Sequence, residues 1–252
     1  MSWRCKSGGL STIAGAVVLP RDLVVFLKRQ ERDGVVIDDS KKLTARQRDY
    51  SASWLKQEVL AWGVGTASHT VVNSHGIMSA VYQAFRKAMR QVGDALGDSK
   101  IDQLLVDGYK IPRINGVSRS LQIDIVKGDG ISLSIAAASI LAKTYRDGLM
   151  VELARRYRGY GWERNKGYGT REHREAIARQ GMCRLHRVKF VDTWRRRHLP
   201  AGRQGFRVKP GMTLCSWRRA GRRRRRCWCQ NHGGWCNEPA CRQAGMFSLK
   251  FR

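Results

Sequence analysis

The sequence predicts an α/β fold, a layered arrangement in which strands and helices alternate along a chain of 252 residues. Three observations lead to this prediction: short apolar runs typical of buried strands, longer segments with apolar residues at helical spacing, and polar turns between them. A chain of this length can bury a substantial core in one or two domains. In open α/β sheets the functional residues gather where strands end.

Two apolar runs come first in the predicted fold. Residues 13–19 and 23–27 are expected to be strands around a turn at residues 20–22. The first run is shorter than the roughly 20 residues that a membrane-spanning helix needs, and it lacks a convincing signal-peptide cleavage site. Residues 35–42 then lead from a short apolar run into a polar loop.

The next segments alternate between helix and strand. Thr44 is expected to cap a helix that continues through residue 55, and residues 59–66 form the next strand candidate. Apolar residues then recur at helical spacing, which predicts an amphipathic helix over residues 77–92 and a loop over 93–100. The residues that set this spacing are Ile77, Val81, Phe85 and Met89.

Two later strands each end at an aspartate. Residues 103–106 form a short buried strand that ends at Asp107, and residues 121–126 alternate between apolar and polar before the turn that contains Asp129. Both side chains are therefore expected where a strand gives way to a loop, and we predict that they lie close together.

The remaining part of the predicted fold is mainly helical. Residues 134–157 are expected to form a long helix, and the small residues near its start allow close packing against a sheet. A loop rich in glycine and tyrosine follows over residues 159–170, and residues 171–180 form a polar helix.

Charge and composition indicate a nucleic-acid partner and a basic tail. The formal net charge is +28, and residues 198–252 hold 13 basic residues and 1 acidic residue. Lysine and arginine neutralise phosphates and release counterions, so nucleic-acid binding is the favoured function class over that of a generally basic soluble protein. We predict a folded domain over residues 1–197 and a disordered tail over 198–252, which contains five consecutive arginines.

The cysteines indicate a reducing compartment. There are seven, an odd number, and the two in the body of the chain are isolated, so a cytoplasmic location is expected rather than a disulfide framework. The tail cysteines do not have the paired spacing typical of zinc sites.

Each polar motif taken alone also fits a plain turn or a solvated loop, but their order and spacing are more specific. Together the motifs resemble bacterial ribonuclease HII over about residues 13–190, and residues 135–143 and 165–170 are the most specific. The matching segments are Asp39-Ser-Lys-Lys-Leu43, Val106-Asp-Gly108, Lys127-Gly-Asp129, residues 135–143, Arg146-Asp147, Asn165-Lys-Gly-Tyr-Gly-Thr170, His173 and His186-Arg187.

The resemblance implies a ribonuclease H-like fold, with a mixed central sheet flanked by helices and a helical C-terminal part. It implies a monomeric, metal-dependent endoribonuclease that hydrolyses the RNA strand of RNA–DNA hybrids and cuts at ribonucleotides embedded in duplex DNA. Mn²⁺ or Mg²⁺ is the implied cofactor, because clustered carboxylates suit hard divalent cations. The implied metal ligands and catalytic residues are Asp107 and Asp129. Tyr168 is implied to contact the ribonucleotide sugar, and Lys41, Lys42 and Lys166 the phosphates.

The N-terminal segment departs from this resemblance. The family opens with an Asp-Glu pair and a Gly-Arg-Gly turn, and two alignments place either Lys6 and Ser7 or Met1 and Ser2 at the acidic positions. The first acidic residue of the chain is Asp22. Three hypotheses remain open: an active endoribonuclease, a nucleic-acid-binding protein that cuts very poorly, and an altered gene product that folds poorly.

Overall fold

The computed structural model describes residues 11–97 and 101–198, with side chains through Trp194, and the backbone of two short strands further on. The chain divides into two compact units, Met1–Arg207 and Val208–Arg252. In the second unit, Cys227–Cys229 pairs antiparallel with Gly234–Cys236. The rest of the predicted tail and residues 1–10 lie outside the described residues, so the boundary after residue 197 and the predicted disorder stay predictions. None of the described helices is long and apolar enough to cross a membrane.

The first unit is a mixed α/β structure, which confirms the predicted fold class. Strands β1 and β2 pair antiparallel along their full length, whereas β3 and β4 pair parallel. The strands are β1 (Thr12–Val18), β2 (Ala61–Ala67), β3 (Leu104–Asp107) and β4 (Gln122–Ile125), with β5 and β6 in the second unit. The helices are α1 (Leu23–Arg32), α2 (Ala45–Glu58), α3 (His69–His75), α4 (Ile77–Leu96), α5 (Leu133–Arg156), α6 (Trp162–Asn165), α7 (Arg171–Gln180) and α8 (Val188–His198).

Helices α4 and α5 cover opposite faces of the β1–β2 pair, and glycines let them approach closely. A Cβ atom added at Gly63 or Gly65 of β2 would overlap backbone atoms of α4, and one added at Gly15 of β1 would overlap the carbonyl oxygen of Ala138 in α5. Two of the three apolar clusters lie on this pair, one on each face, and the third joins the end of α5 to α6, α7 and α8. Helix α4 confirms the helix predicted over residues 77–92, and it buries Phe85 and Met89 of the predicted apolar residues together with three alanines.

A cavity of about 530 Å³ is bordered by both β1 and β3. Its lining includes residues 15–18 of β1 and Leu104, Leu105 and Asp107 of β3. Helices α4 and α5 also contribute, among others through Met89 and Ala138. The end of β3 therefore opens onto the same space as the first strand, between the two long helices that pack against that strand.

One predicted strand is wrong: residues 23–27 begin helix α1. The side chain of Asp22 accepts a hydrogen bond from the backbone N–H of Val25 at 3.0 Å and so caps a helix that continues through polar residues to Arg32. Only Phe26 of the apolar run is buried. A run of five apolar residues fits either a strand or one buried turn of helix, and the capping aspartate decides between them.

Candidate active site

Asp107 ends strand β3, and Asp129 lies in the helical turn that follows its partner strand β4. Asp107 is the last residue of β3, opposite Ile125 in β4. Beyond β4, Lys127 adopts a left-handed backbone conformation that turns the chain into a helical turn at residues 128–130. The buried Asp107 carboxylate accepts a hydrogen bond from the backbone N–H of Gly128 at 3.0 Å. The structure therefore holds the Asp107 carboxylate against the residue that precedes Asp129.

The Asp129 carboxylate is paired with Lys41. The Lys41 Nζ lies 2.8 Å from Asp129 Oδ2 and 3.3 Å from Asp39 Oδ1, so a single ammonium group lies between two carboxylates. Burial raises the pKa of Asp129, but the hydrogen bond and charge of Lys41 outweigh it and hold that pKa below its ordinary value. Burial lowers the pKa of Lys41, and the two carboxylates reverse this effect and raise it.

The loop that carries Lys41 is anchored on helix α5. The Ser40 and Ser139 hydroxyl groups hydrogen-bond each other at 2.9 Å, and both residues are buried. Asp39 accepts a hydrogen bond from the backbone N–H of Lys41 at 3.0 Å, which closes a tight turn. The position of the ammonium group beside Asp129 therefore depends on a contact between residues 99 positions apart in the chain.

The other two predicted lysines, Lys42 and Lys166, do not join this group. Lys42 forms an ion pair with Asp38 at 3.0 Å. Lys166 donates to the backbone carbonyl of Glu163 at 2.6 Å and has a left-handed backbone with φ of 49°. The structure therefore directs both ammonium groups to local partners rather than to the strand-end aspartates.

Tyr168 lies beside two cationic side chains of α5. Lys143 Nζ is 5.4 Å and the Arg146 guanidinium carbon 5.1 Å from the centroid of the tyrosine ring, within the range of cation–π contacts. Arg146 is buried and also donates to the backbone carbonyl of Lys166 at 3.3 Å. One guanidinium group thus contacts both the ring and the backbone of the tyrosine loop and holds that loop against the helix.

Ser139, Lys143 and Arg146 have no role among the site residues predicted from the sequence. Their spacing predicts a shared face, because residues at positions i, i+4 and i+7 lie on the same side of a helix. One face of α5 thus contacts the Lys41 loop through Ser139 and the Tyr168 loop through Lys143 and Arg146.

The described side chains do not fit a two-ion metal cluster. Among the residues that the structure describes, no group of three or more histidine, cysteine, aspartate or glutamate side chains is placed to hold a metal ion. The strand ends supply two carboxylates, and one of them is paired with Lys41. The alternative acidic positions of the family motif, Met1 and Ser2 or Lys6 and Ser7, lie outside the described residues.

Comparison with known proteins gives a consistent match. The family model for ribonuclease HII matches residues 11–193. Ribonuclease HII of Clostridioides difficile is 42% identical over 183 residues, which cover 73% of this chain and 67% of that protein. Ribonuclease HII of Cytophaga hutchinsonii is 37% identical over 186 residues, which cover 74% of this chain and 83% of that protein.

Solved structures show the same fold at low sequence identity. Ribonuclease H2 from Pyrococcus horikoshii OT3 has a TM-score of 0.54 at 20% identity and covers 77% of this chain and 95% of its own. Bst-RNase HIII in complex with Mn²⁺ has a TM-score of 0.54 at 16% identity, over 76% of this chain and 67% of its own. A mutant of the same Bst-RNase HIII has a TM-score of 0.57 at 17% identity, over 78% of this chain and 68% of its own.

Proposed function

The chain belongs to the ribonuclease HII family, and from this premise we propose that its substrates are RNA–DNA hybrids and duplex DNA with embedded ribonucleotides. Family membership makes it a nuclease of the ribonuclease H class. The observation that carries the proposal is the family match over residues 11–193 together with two aspartates at adjacent strand ends.

Substrate recognition is proposed to depend on Tyr168 and on distributed positive charge. A tyrosine ring can stack against a sugar or base, and contact near the 2′-hydroxyl distinguishes RNA from DNA. Lys143 and Arg146 lie beside the ring and place positive charge next to it. The phosphates are proposed to be contacted by Lys41, Lys42 and Lys166, and the formal charge of +28 favours binding to any nucleic acid.

Mn²⁺ or Mg²⁺ is the proposed cofactor, held by Asp107 and Asp129 as metal ligands and catalytic residues. One structural relative, Bst-RNase HIII, has been solved in complex with Mn²⁺, and oxygen ligands suit hard divalent cations. The described residues provide fewer than three ligating side chains in one group. Two ions held by so few carboxylates would bind weakly, and the Lys41 ammonium would repel them.

This mismatch favours a second candidate function, a nucleic-acid-binding homologue that cuts very slowly. Binding is expected to survive because it rests on basic side chains and the Tyr168 loop, which are present. Cleavage is expected to be slow because it needs ions at fixed positions. The absence of acidic residues before Asp22 is the sequence feature that agrees with this candidate.

The test is a paired assay on a duplex that carries one ribonucleotide, with Mn²⁺ or Mg²⁺ supplied. The chain is compared with a variant in which an Asp-Glu-x-Gly-Arg-Gly segment precedes β1, and with the same variant carrying Asp107→Asn. We expect similar affinity for all three proteins and rapid cleavage by the restored variant alone. Equal cleavage by the original and restored proteins would contradict the metal-site interpretation. Failure of all three to prefer this duplex over all-DNA duplex would contradict the proposed substrate.

A cytoplasmic location and a monomeric state complete the proposal. Among the described residues Cys183 is a free thiol, which agrees with a reducing compartment. Gel filtration coupled to light scattering would measure the oligomeric state.

A further inference from the structure

A buried chain of hydrogen bonds runs behind the tyrosine loop. His173 Nδ1 lies 2.9 Å from the backbone carbonyl oxygen of Tyr168, and the indole N–H of Trp162 donates to His173 Nε2 at 3.1 Å. His173 Nε2 is also 3.3 Å from His186 Nε2. The backbone N–H of Cys183 donates to His186 Nδ1 at 3.0 Å. Trp162, His173 and His186 are each at most 1% exposed.

The partners of these rings determine where each proton lies. A carbonyl oxygen only accepts, so His173 must carry its proton on Nδ1 and donate it to Tyr168. The Nε2 atom of a neutral His173 is then the acceptor for Trp162, and the facing Nε2 atom of His186 must carry a proton. His186 Nδ1 is left as an acceptor, and its nearer backbone partner on Cys183 is indeed the N–H, at 3.0 Å, while the carbonyl oxygen lies at 3.2 Å.

The backbone immediately before Tyr168 adopts a conformation that needs such support. Lys166 and Gly167 have φ angles of 49° and 76°, so two consecutive residues adopt the left-handed region, which is unfavourable for a lysine. The carbonyl of Tyr168 accepts from two donors, the N–H of Thr170 at 2.8 Å and His173 Nδ1. The Thr170 side chain in turn accepts from the backbone N–H of His173 at 3.3 Å, which fixes the start of α7.

We propose that His173 is a positioning residue for ribonucleotide recognition, which acts through the carbonyl of Tyr168 and is held in its donor tautomer by Trp162 and His186. The proposal rests on the proposed function of Tyr168 at the ribonucleotide sugar. Arg146 and Lys143 restrain the ring from the α5 side, and His173 restrains the backbone of the same residue. Without the Nδ1 donor, we expect the ring to lose its fixed angle while the phosphate contacts stay.

Two substitutions separate the two nitrogens of the ring. The amide nitrogen of His173→Asn can occupy the place of Nδ1, whereas that of His173→Gln can occupy the place of Nε2. Both variants lose the ring contacts with Tyr160, Trp162 and His186, so the loss of aromatic packing is matched. Only His173→Asn retains a donor towards the carbonyl of Tyr168.

The experiment measures the dissociation constants for an all-DNA duplex and for the same duplex with one ribonucleotide, in EDTA so that no strand is cut. The ratio of the two constants is the readout, because a purely structural role would change the thermal midpoint without changing this ratio. We expect His173→Asn to keep the wild-type ratio within about twofold. We expect His173→Gln to reduce it by about fivefold or more, the effect of one lost hydrogen bond. Equal ratios in the two variants would overturn the proposal.

A Tyr168→Ala variant separates the inference from the proposed function. If wild-type protein shows no preference for the ribonucleotide, or if Tyr168→Ala keeps the preference, the proposed function of Tyr168 fails and the inference fails with it. If Tyr168→Ala removes the preference and His173→Gln keeps it, the inference alone fails. Nitrogen-15 NMR of the wild-type protein needs no variant: a proton on His173 Nδ1 supports the proposal, and one on Nε2 overturns it.

Discussion

Acidification is expected to destabilise this protein through His186. Its imidazole is 1% exposed and packs against the rings of Tyr160, Trp162 and His173. Burial, with smaller contributions from the nearby His173 and His69, lowers the pKa of His186 from 6.5 to about 4. The folded protein therefore holds this ring neutral at a pH where the unfolded chain would protonate it.

The sign and size of the effect follow from this difference. Between pH 6.5 and 4 the unfolded chain binds a proton that the folded protein does not, so the free energy of unfolding decreases as the pH decreases. The contribution of the neutral ring is fully present above pH 6.5 and is lost as the pH falls towards 4. Each pH unit in this interval lowers the free energy of unfolding by about 1.4 kcal/mol. Between pH 6.5 and 4, His186 alone therefore lowers it by about 3 kcal/mol.

The measurement is urea denaturation at closely spaced pH values between 4 and 7.5, with a His186→Gln variant as the control for other titrating groups. The wild-type protein should lose about 3 kcal/mol more than the variant over this range. Proton NMR of the His186 ring should give a midpoint near pH 4. Parallel pH profiles for the two proteins, or a ring that titrates near pH 6.5, would refute the reasoning.

Three further predictions concern the packing and the Lys41 loop. Gly65→Ala should lower the free energy of unfolding by about 1–3 kcal/mol because its Cβ would overlap the backbone of α4. Gly93→Ala should raise the free energy of unfolding by about 0.5–1 kcal/mol, because this glycine lies inside α4 with open space around its Cβ. Urea denaturation would measure both changes. Lys41→Gln should raise the pKa of Asp129, which loses its paired ammonium; carbon-13 NMR of the carboxylate would measure this, and an unchanged value would rule out the pairing. Ser139→Ala should cost about 1–3 kcal/mol because it leaves the buried Ser40 hydroxyl unpaired, and adding Ser40→Ala should recover part of that loss in a double-mutant cycle.

The sequence was sufficient to predict helices with a regular apolar spacing and polar residues that follow a strand. Helix α4 was predicted because its apolar residues recur at helical spacing, and the positions of Asp107 and Asp129 followed from where two strands end. Helix α1 was mistaken for a strand because its capping residue, Asp22, was interpreted as part of a turn. The short helix α3 gave no pattern long enough to recognise.

The candidate site was only partly predictable because its contacts join distant positions. The pairing of Lys41 with Asp129 links residues 88 positions apart, and no local pattern indicates it. The same holds for the contact between His173 and His186, in which two ring nitrogens meet across 13 residues. Family resemblance identified several of these residues, but only the fold shows which ring nitrogens face each other and which face the backbone.

The glycines at positions 15, 63 and 65 have a consequence for inherited variation. Every amino-acid replacement of glycine adds at least one carbon atom, so any missense mutation at these positions forces a long helix away from its strand. In the restored variant, a screen of random mutants for loss of cleavage would therefore score these positions as severely as the proposed catalytic aspartates. The amount of soluble protein would tell the two groups apart, because mutants at the glycines should accumulate poorly while the isosteric Asp107→Asn should accumulate normally.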